Sequence, residues 1–237
     1  MGRRAEEWLP RLLSRRTIGR GLLGVAASFA SRWSWAVEER EEKELLVVPL
    51  GEAPALEITV VEAALRAFYS VEVQVGERMA LPRRAYYAKR RRYRAEKLLE
   101  ALEEVSGQGR SGGKAFRVLG LASVDISTTK GGIEDWGILG LATIDGRVGV
   151  LSSYRCRRGA KNAEQIAHRL GKTAVHEVGH TFGLEHCPNV GCVMEDGKGS
   201  VFTTDHEYDL CPTCRELLGR ANLLRVPRVA PPWPKPA

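Results

Sequence analysis

No apolar run in this chain approaches the ~20 residues that a membrane-spanning helix needs. The longest candidate, Gly21 to Ala30, is short and rich in small residues. Cysteine is sparse: five in 237 residues are too few to build a disulfide scaffold of this size. No internal repeat is visible, which sets repeat architectures aside. Neither apolar nor charged residues are scarce, at 43% and 27%, so a disordered chain and a membrane protein are both disfavoured. The length suits one domain with a substantial core and extensions.

The formal net charge of +7 raises the question of nucleic acid. Residues 1–43 account for +3 of it, and the single run Lys89-Arg90-Arg91-Arg92-Tyr93-Arg94 adds five positive charges. Without that run the rest is close to neutral. A solvated loop therefore accounts for it more simply than a nucleic-acid surface, and no nucleic-acid partner is expected.

Residues 1–43 read as an extension, with arginine pairs, three of the five tryptophans and a charged closing run. Arg15-Arg16 followed by the apolar stretch 21–30 and by Ser34-Trp35-Ala36 resembles a twin-arginine export signal. A basic amphipathic helix on the domain surface fits the same residues, so location stays open between export and the cytoplasm. From Leu45 an alternating pattern begins. Residues 45–50 read as a buried strand, a helix starts near Pro54, and 71–75 alternate as a second strand. A helical stripe runs from Ala95 to Val105, and Phe116 to Val124 reads as a third strand after the glycine-rich connection 106–113. Strand, helix, strand, helix favours a parallel α/β sheet. Residues 138–144 and 148–152 flank Asp145-Gly146 and predict an antiparallel hairpin. The main domain is expected over 44–222, and the proline-rich residues 223–237 are expected to form an extended tail.

A helix beginning near Asn162 places Ile166, Ala167, Leu170, Ala174 and Val178 on or near one face. His176 and His180, four apart, project about one turn from each other and can share a metal, for which zinc suits imidazole. Glu177 points about 100° around from His176, where its carboxylate reaches a metal-activated water rather than the metal, the placement of a general base. Gly183 can take the left-handed conformation that ends the helix and returns His186 to the same zinc as third ligand. Three protein ligands leave a position for water, which marks a catalytic site. Cys187, Cys192, Cys211 and Cys214 form two close pairs that match a structural four-thiolate zinc site; two disulfides are the competing arrangement. Cys156 is expected as a partly buried free thiol.

The string His-Glu-x-x-His-x-x-Gly-x-x-His-Cys-x4-Cys-x-Met, followed by Cys-x-x-Cys, occupies His176 through Met194 and Cys211 to Cys214. It resembles the signature of the archaemetzincins, zinc metalloproteases of the metzincin clan, and the similarity extends from Leu45 to about Leu218. The resemblance implies a mixed, mostly parallel sheet with an antiparallel edge hairpin, packed on the active-site helix, plus a cysteine-bound C-terminal subdomain. It further implies a peptide or protein substrate laid along an edge strand of that hairpin, for which residues 138–144 are the better candidates, and Met194 packed beneath the histidines; with the cysteine cluster, two zinc ions per chain are expected. A monomer is expected. A zinc-stabilised binding module with a vestigial histidine site is the rival from another functional class.

Overall fold

The computed structural model describes residues 43–106 and 117–236. The arginine pair, the apolar stretch after it and most of the glycine-rich connection lie outside the described residues, and so does the choice there between an export signal and an amphipathic helix.

Period-two alternation builds the central sheet. In β1 (Glu44–Pro49) Leu45 and Val47 enter one core, while Val48 and the following Leu50 enter the other. The same division recurs in β5 (Arg117–Ala122), where Leu119 and Leu121 face one way and Val118 and Ala122 the other. With β2 (Glu72–Val75), β9 (Val148–Ser152) and β8 (Gly140–Ala142) these strands form a five-stranded sheet in the order β2-β1-β5-β9-β8. All neighbours are parallel except β8, which runs antiparallel to β9 and closes the edge. Helices α1 (Ala55–Phe68) and α3 (Ala163–Thr181) share the first core. Helix α2 (Ala95–Ser106) covers the second with Leu98 and Leu102. A short helix, α4 (Pro212–Arg220), buries Cys214 and Leu218 in the first core. The result is the mixed, mostly parallel α/β architecture expected, with the predicted strands and helices in place to within a few residues. Among the described residues no helix is long and apolar enough to cross a membrane.

Four features depart from the sequence reading or refine it. The basic run is not a loop: it forms a 3-10 turn and strand β4 (Arg92–Arg94) of a second sheet, with β3 (Tyr86–Tyr87), β6 (Ile126–Lys130) and β7 (Ile133–Ile138) in the order β3-β4-β6-β7. Its charges are matched locally, since Arg92 contacts Asp125 at 2.7 Å and Asp135 at 2.8 Å, and Arg155 pairs with the same Asp125. Residues 138–144 do not form one strand, because the chain leaves the second sheet at Ile138 and enters the first at Gly140. In the hairpin turn, Asp145 and not Gly146 takes the left-handed conformation. Gly146 is needed for space: a Cβ there would stand 2.4 Å from that of Thr143. The proline-rich end has no helix or strand through most of its length, yet Trp233 is buried, stacks on Phe68 and donates its indole N–H to the Tyr208 carbonyl at 2.7 Å.

Candidate metal centre and cleft

Helix α3 starts where the Asn162 side chain accepts the Gln165 N–H at 2.8 Å. Leu170, Ala174 and Val178 bury its apolar face against α1 and the sheet. Ile166 lies partly buried against that core. The helix is also fixed by Arg169, 1% exposed, whose guanidinium grips both oxygens of Asp205 and donates to the carbonyls of Cys156 and Arg158. At the other end Gly183, with φ +89°, closes a Schellman motif: Gly183 N–H donates to the His180 carbonyl and Leu184 N–H to that of Gly179. That reversal returns the chain towards the helix.

The turn brings His186 to His176 and His180, with ring centroids 4.6, 4.8 and 5.3 Å apart and one nitrogen of each imidazole within 4.8 Å of the others. Nδ1 of His176 bonds the Val193 carbonyl at 2.7 Å and Nδ1 of His180 bonds the Leu184 carbonyl at 2.6 Å. Since a carbonyl only accepts, both Nδ1 atoms carry the proton and both Nε2 lone pairs are free; these two Nε2 atoms are 3.0 Å apart. Burial, then the neighbouring His180, pushes His176 down to about 3, and burial lowers His180 as well. Neutral imidazoles whose lone pairs converge are a donor set that fits zinc.

Glu177 is 5% exposed, lines the cleft and makes no side-chain hydrogen bond among the described residues. Burial pushes its carboxyl up to about 8. Its position depends on the edge strand, since a Cβ at Gly140 in β8 would stand 2.4 Å from Glu177 Oε1. The cleft has a volume of about 300 Å³ and is walled by β8, by Trp136 and Ile138 of β7, and by residues that follow the histidines. Met194 is fully buried, with its sulfur so near the helix that a Cβ at Gly179 would stand 2.5 Å from it.

Cys187, Cys192, Cys211 and Cys214 also converge, with their sulfurs all within 4.8 Å of one another. The closest pairs, Cys187–Cys211 at 3.6 Å and Cys192–Cys214 at 3.8 Å, are well beyond a bonded S–S distance of about 2.05 Å, and all four are free. Burial opposes ionisation of Cys211, yet the Cys214 N–H and the Asn189 amide bring it to about 6. Burial pushes Cys192 up to about 11 and Cys214 further, the latter also by its neighbour Cys192. A divalent cation at the centre of such a cluster favours the thiolate form of its ligands. Cys156 is wholly buried, and burial pushes its thiol up to about 12, which makes it inert.

Three cleft residues carried no mark in the sequence. Gly140, Glu195 and Glu207 belong to no spacing motif, and only the chain path around α3 brings them to Glu177.

The model of peptidase family M54 matches residues 52–220. The archaemetzincin of Haloquadratum walsbyi is 32% identical over 179 residues, covering 73% of this chain and 97% of that one. That of Methanopyrus kandleri is 36% identical over 158 residues, covering 66% and 83%. In three dimensions the chain is similar to the crystal structure of the Methanopyrus kandleri archaemetzincin, with a TM-score of 0.64, 33% identity and coverage of 78% and 97%. It is similar also to that of an Archaeoglobus fulgidus archaemetzincin complexed with malonate, with a TM-score of 0.61, 27% identity and coverage of 73% and 99%.

Proposed function

Because the chain belongs to peptidase family M54 and, like the archaemetzincins it resembles, is a zinc metallopeptidase, we propose that Glu177 is its general base and that His176, His180 and His186 hold the catalytic zinc. The observation that carries this is the carboxylate of Glu177, buried in the cleft lining between two helical histidines with no hydrogen-bond partner among the described residues. Zinc held there would supply Lewis acidity, making a water easier to deprotonate and a peptide carbonyl easier to attack. Glu177 takes the proton from that water and passes it to the leaving amine. Gly140 leaves the space in which the carboxylate swings between those positions. The exposed edge of β8 offers backbone groups to an extended peptide, which aligns the scissile bond over Glu177 by strand addition. Cys187, Cys192, Cys211 and Cys214 hold a second, structural zinc, giving two ions per chain. A binding module with a vestigial histidine site has no use for a buried carboxylate at that position.

The test is hydrolysis of a library of N-acetylated peptides by zinc-loaded wild type and Glu177→Ala. Turnover is expected to fall by roughly 10²- to 10⁴-fold, the contribution of a general base, while zinc content stays unchanged. Equal turnover by the two proteins would remove Glu177 from the mechanism.

A further inference from the structure

Away from β8, the cleft is lined by Thr173 of α3 and by Glu195, Thr204 and Glu207, which follow it in the chain. Thr173 precedes His176 and Glu177 by three and four positions, so it shares their helix face, roughly one turn or ~5 Å along the axis. This part of the cleft is therefore within reach of a substrate side chain adjoining the bond held over Glu177. Most of its polar groups are already engaged. The Thr173 hydroxyl donates to the Arg169 carbonyl at 2.9 Å, and that of Thr204 to the Val201 carbonyl at 2.6 Å. Glu195 accepts the Gly191 N–H at 2.8 Å. Glu207 is different: it is 3% exposed, lines the cleft and makes no side-chain hydrogen bond among the described residues.

A carboxyl that reaches water only through the cleft and has no donor is costly to ionise, and a ligand that enters the cleft with a donor would relieve that cost. The nearby cation does not supply the donor. Lys172 gives its ammonium to the Thr204 carbonyl at 2.7 Å and lies over the Trp233 ring. Burial pushes the Glu207 carboxyl up to about 8, with Lys172 only moderating the effect and Glu195 and Asp205 adding to it. An arriving cation would restore the ionised carboxylate and bring the donors it lacks.

We propose that Glu207 is a specificity determinant: its carboxylate, set in the cleft wall and without a hydrogen-bond partner among the described residues, receives the cationic side chain of a substrate lysine or arginine next to the bond that is cut. This rests on the peptidase reading above and narrows its substrate class. A charge-assisted hydrogen bond in such a pocket corresponds to roughly 10- to 100-fold in kcat/KM.

The test uses zinc-loaded protein and N-acetylated peptides that differ at one position, lysine against norleucine and arginine against glutamine, with products located by mass spectrometry. N-acetylation removes the peptide's own amine, so only the side chain can supply the charge. Wild type is expected to prefer the cationic member of each pair by at least about 10-fold, Glu207→Gln to bring the ratio close to one, and Glu207→Lys to shift preference to glutamate. Binding of the same peptides to zinc-loaded Glu177→Ala, read by fluorescence anisotropy, follows the subsite without hydrolysis. A cationic preference in binding with no cleavage by wild type supports the subsite and sinks the peptidase reading. No cationic preference in either assay, or one that Glu207→Gln leaves intact, overturns the subsite.

Discussion

Glu177 depends on what position 140 lacks. With a Cβ at Gly140 only 2.4 Å from Oε1 and 2.6 Å from the carboxyl carbon, any side chain in that position of β8 drives the carboxylate off its present site. Misplacing a catalytic group by about 1 Å costs on the order of 100-fold. Gly140→Ala is therefore expected to lower kcat by about that factor with zinc content and circular dichroism unchanged; kcat within twofold of wild type would mean that Glu177 works equally well from another position. At this scale the sequence was legible where chemistry follows helical spacing. His176, Glu177, His180 and the glycine that returns His186 are written in fixed offsets along one segment, and the structure brings them together. Gly140 and Glu207 were not legible, because their meaning lies in a distance across the fold to a residue far along the chain.

Helix α3 is held in register by Arg169, whose charge is buried and answered by Asp205 beyond the cysteine loop. The hydrogen bonds from Arg169 hold the Asp205 carboxyl below the usual carboxylate range. A depressed folded value means that the stabilisation is fully present above the unfolded pKa, near 3.9, and is lost as pH falls through the folded value. Asp205→Asn leaves Arg169 as an uncompensated buried charge, for an expected loss of about 3 kcal/mol at pH 7. Denaturant unfolding of both proteins checks this, and their difference should shrink towards pH 3. A difference that does not change with pH would mean that packing, not charge, carries the effect. Elements were legible to the extent that their signal is local: β1, β5 and helices α1, α2 and α3 each bury a periodic face. The second sheet escaped because β3 and β4 are only two and three residues long, β4 reads as part of a basic run, and the Arg92 partners Asp125 and Asp135 lie beyond α2. The run 138–144 misled for a related reason, since a change of sheet at Leu139 leaves no mark in an unbroken apolar stretch.

Across the molecule the histidine and cysteine clusters are consecutive along the chain, because Cys187 directly follows His186. The loop from Cys187 to Glu195 is tied at both ends: Cys187 N–H donates to the Met194 carbonyl at 2.7 Å, and Val193 N–H to the Asp209 carbonyl at 3.1 Å. That loop presents the Val193 carbonyl, which fixes the tautomer of His176. Loosening the cysteine cluster should therefore weaken the histidine site as well as the subdomain around α4. Cys211→Ser is the most direct probe, because Cys211 lies 3.6 Å from Cys187 and receives the Asn189 amide and the Cys214 N–H. Zinc content is expected to fall from two ions per chain to about one. With zinc a thousandfold above its dissociation constant the lost site is worth about 4 kcal/mol, or about 8–16 °C in Tm for a domain of this size. Activity should fall with it, as His186 and the Val193 carbonyl lose their tether. If zinc content is instead unaffected, and a reductant alone lowers the Tm of wild type, the four sulfurs act as disulfides and the second zinc is excluded. The sulfur separations of 3.6 and 3.8 Å favour the metal, because four thiols that close without a bond repel one another as they ionise and need a cation at their centre.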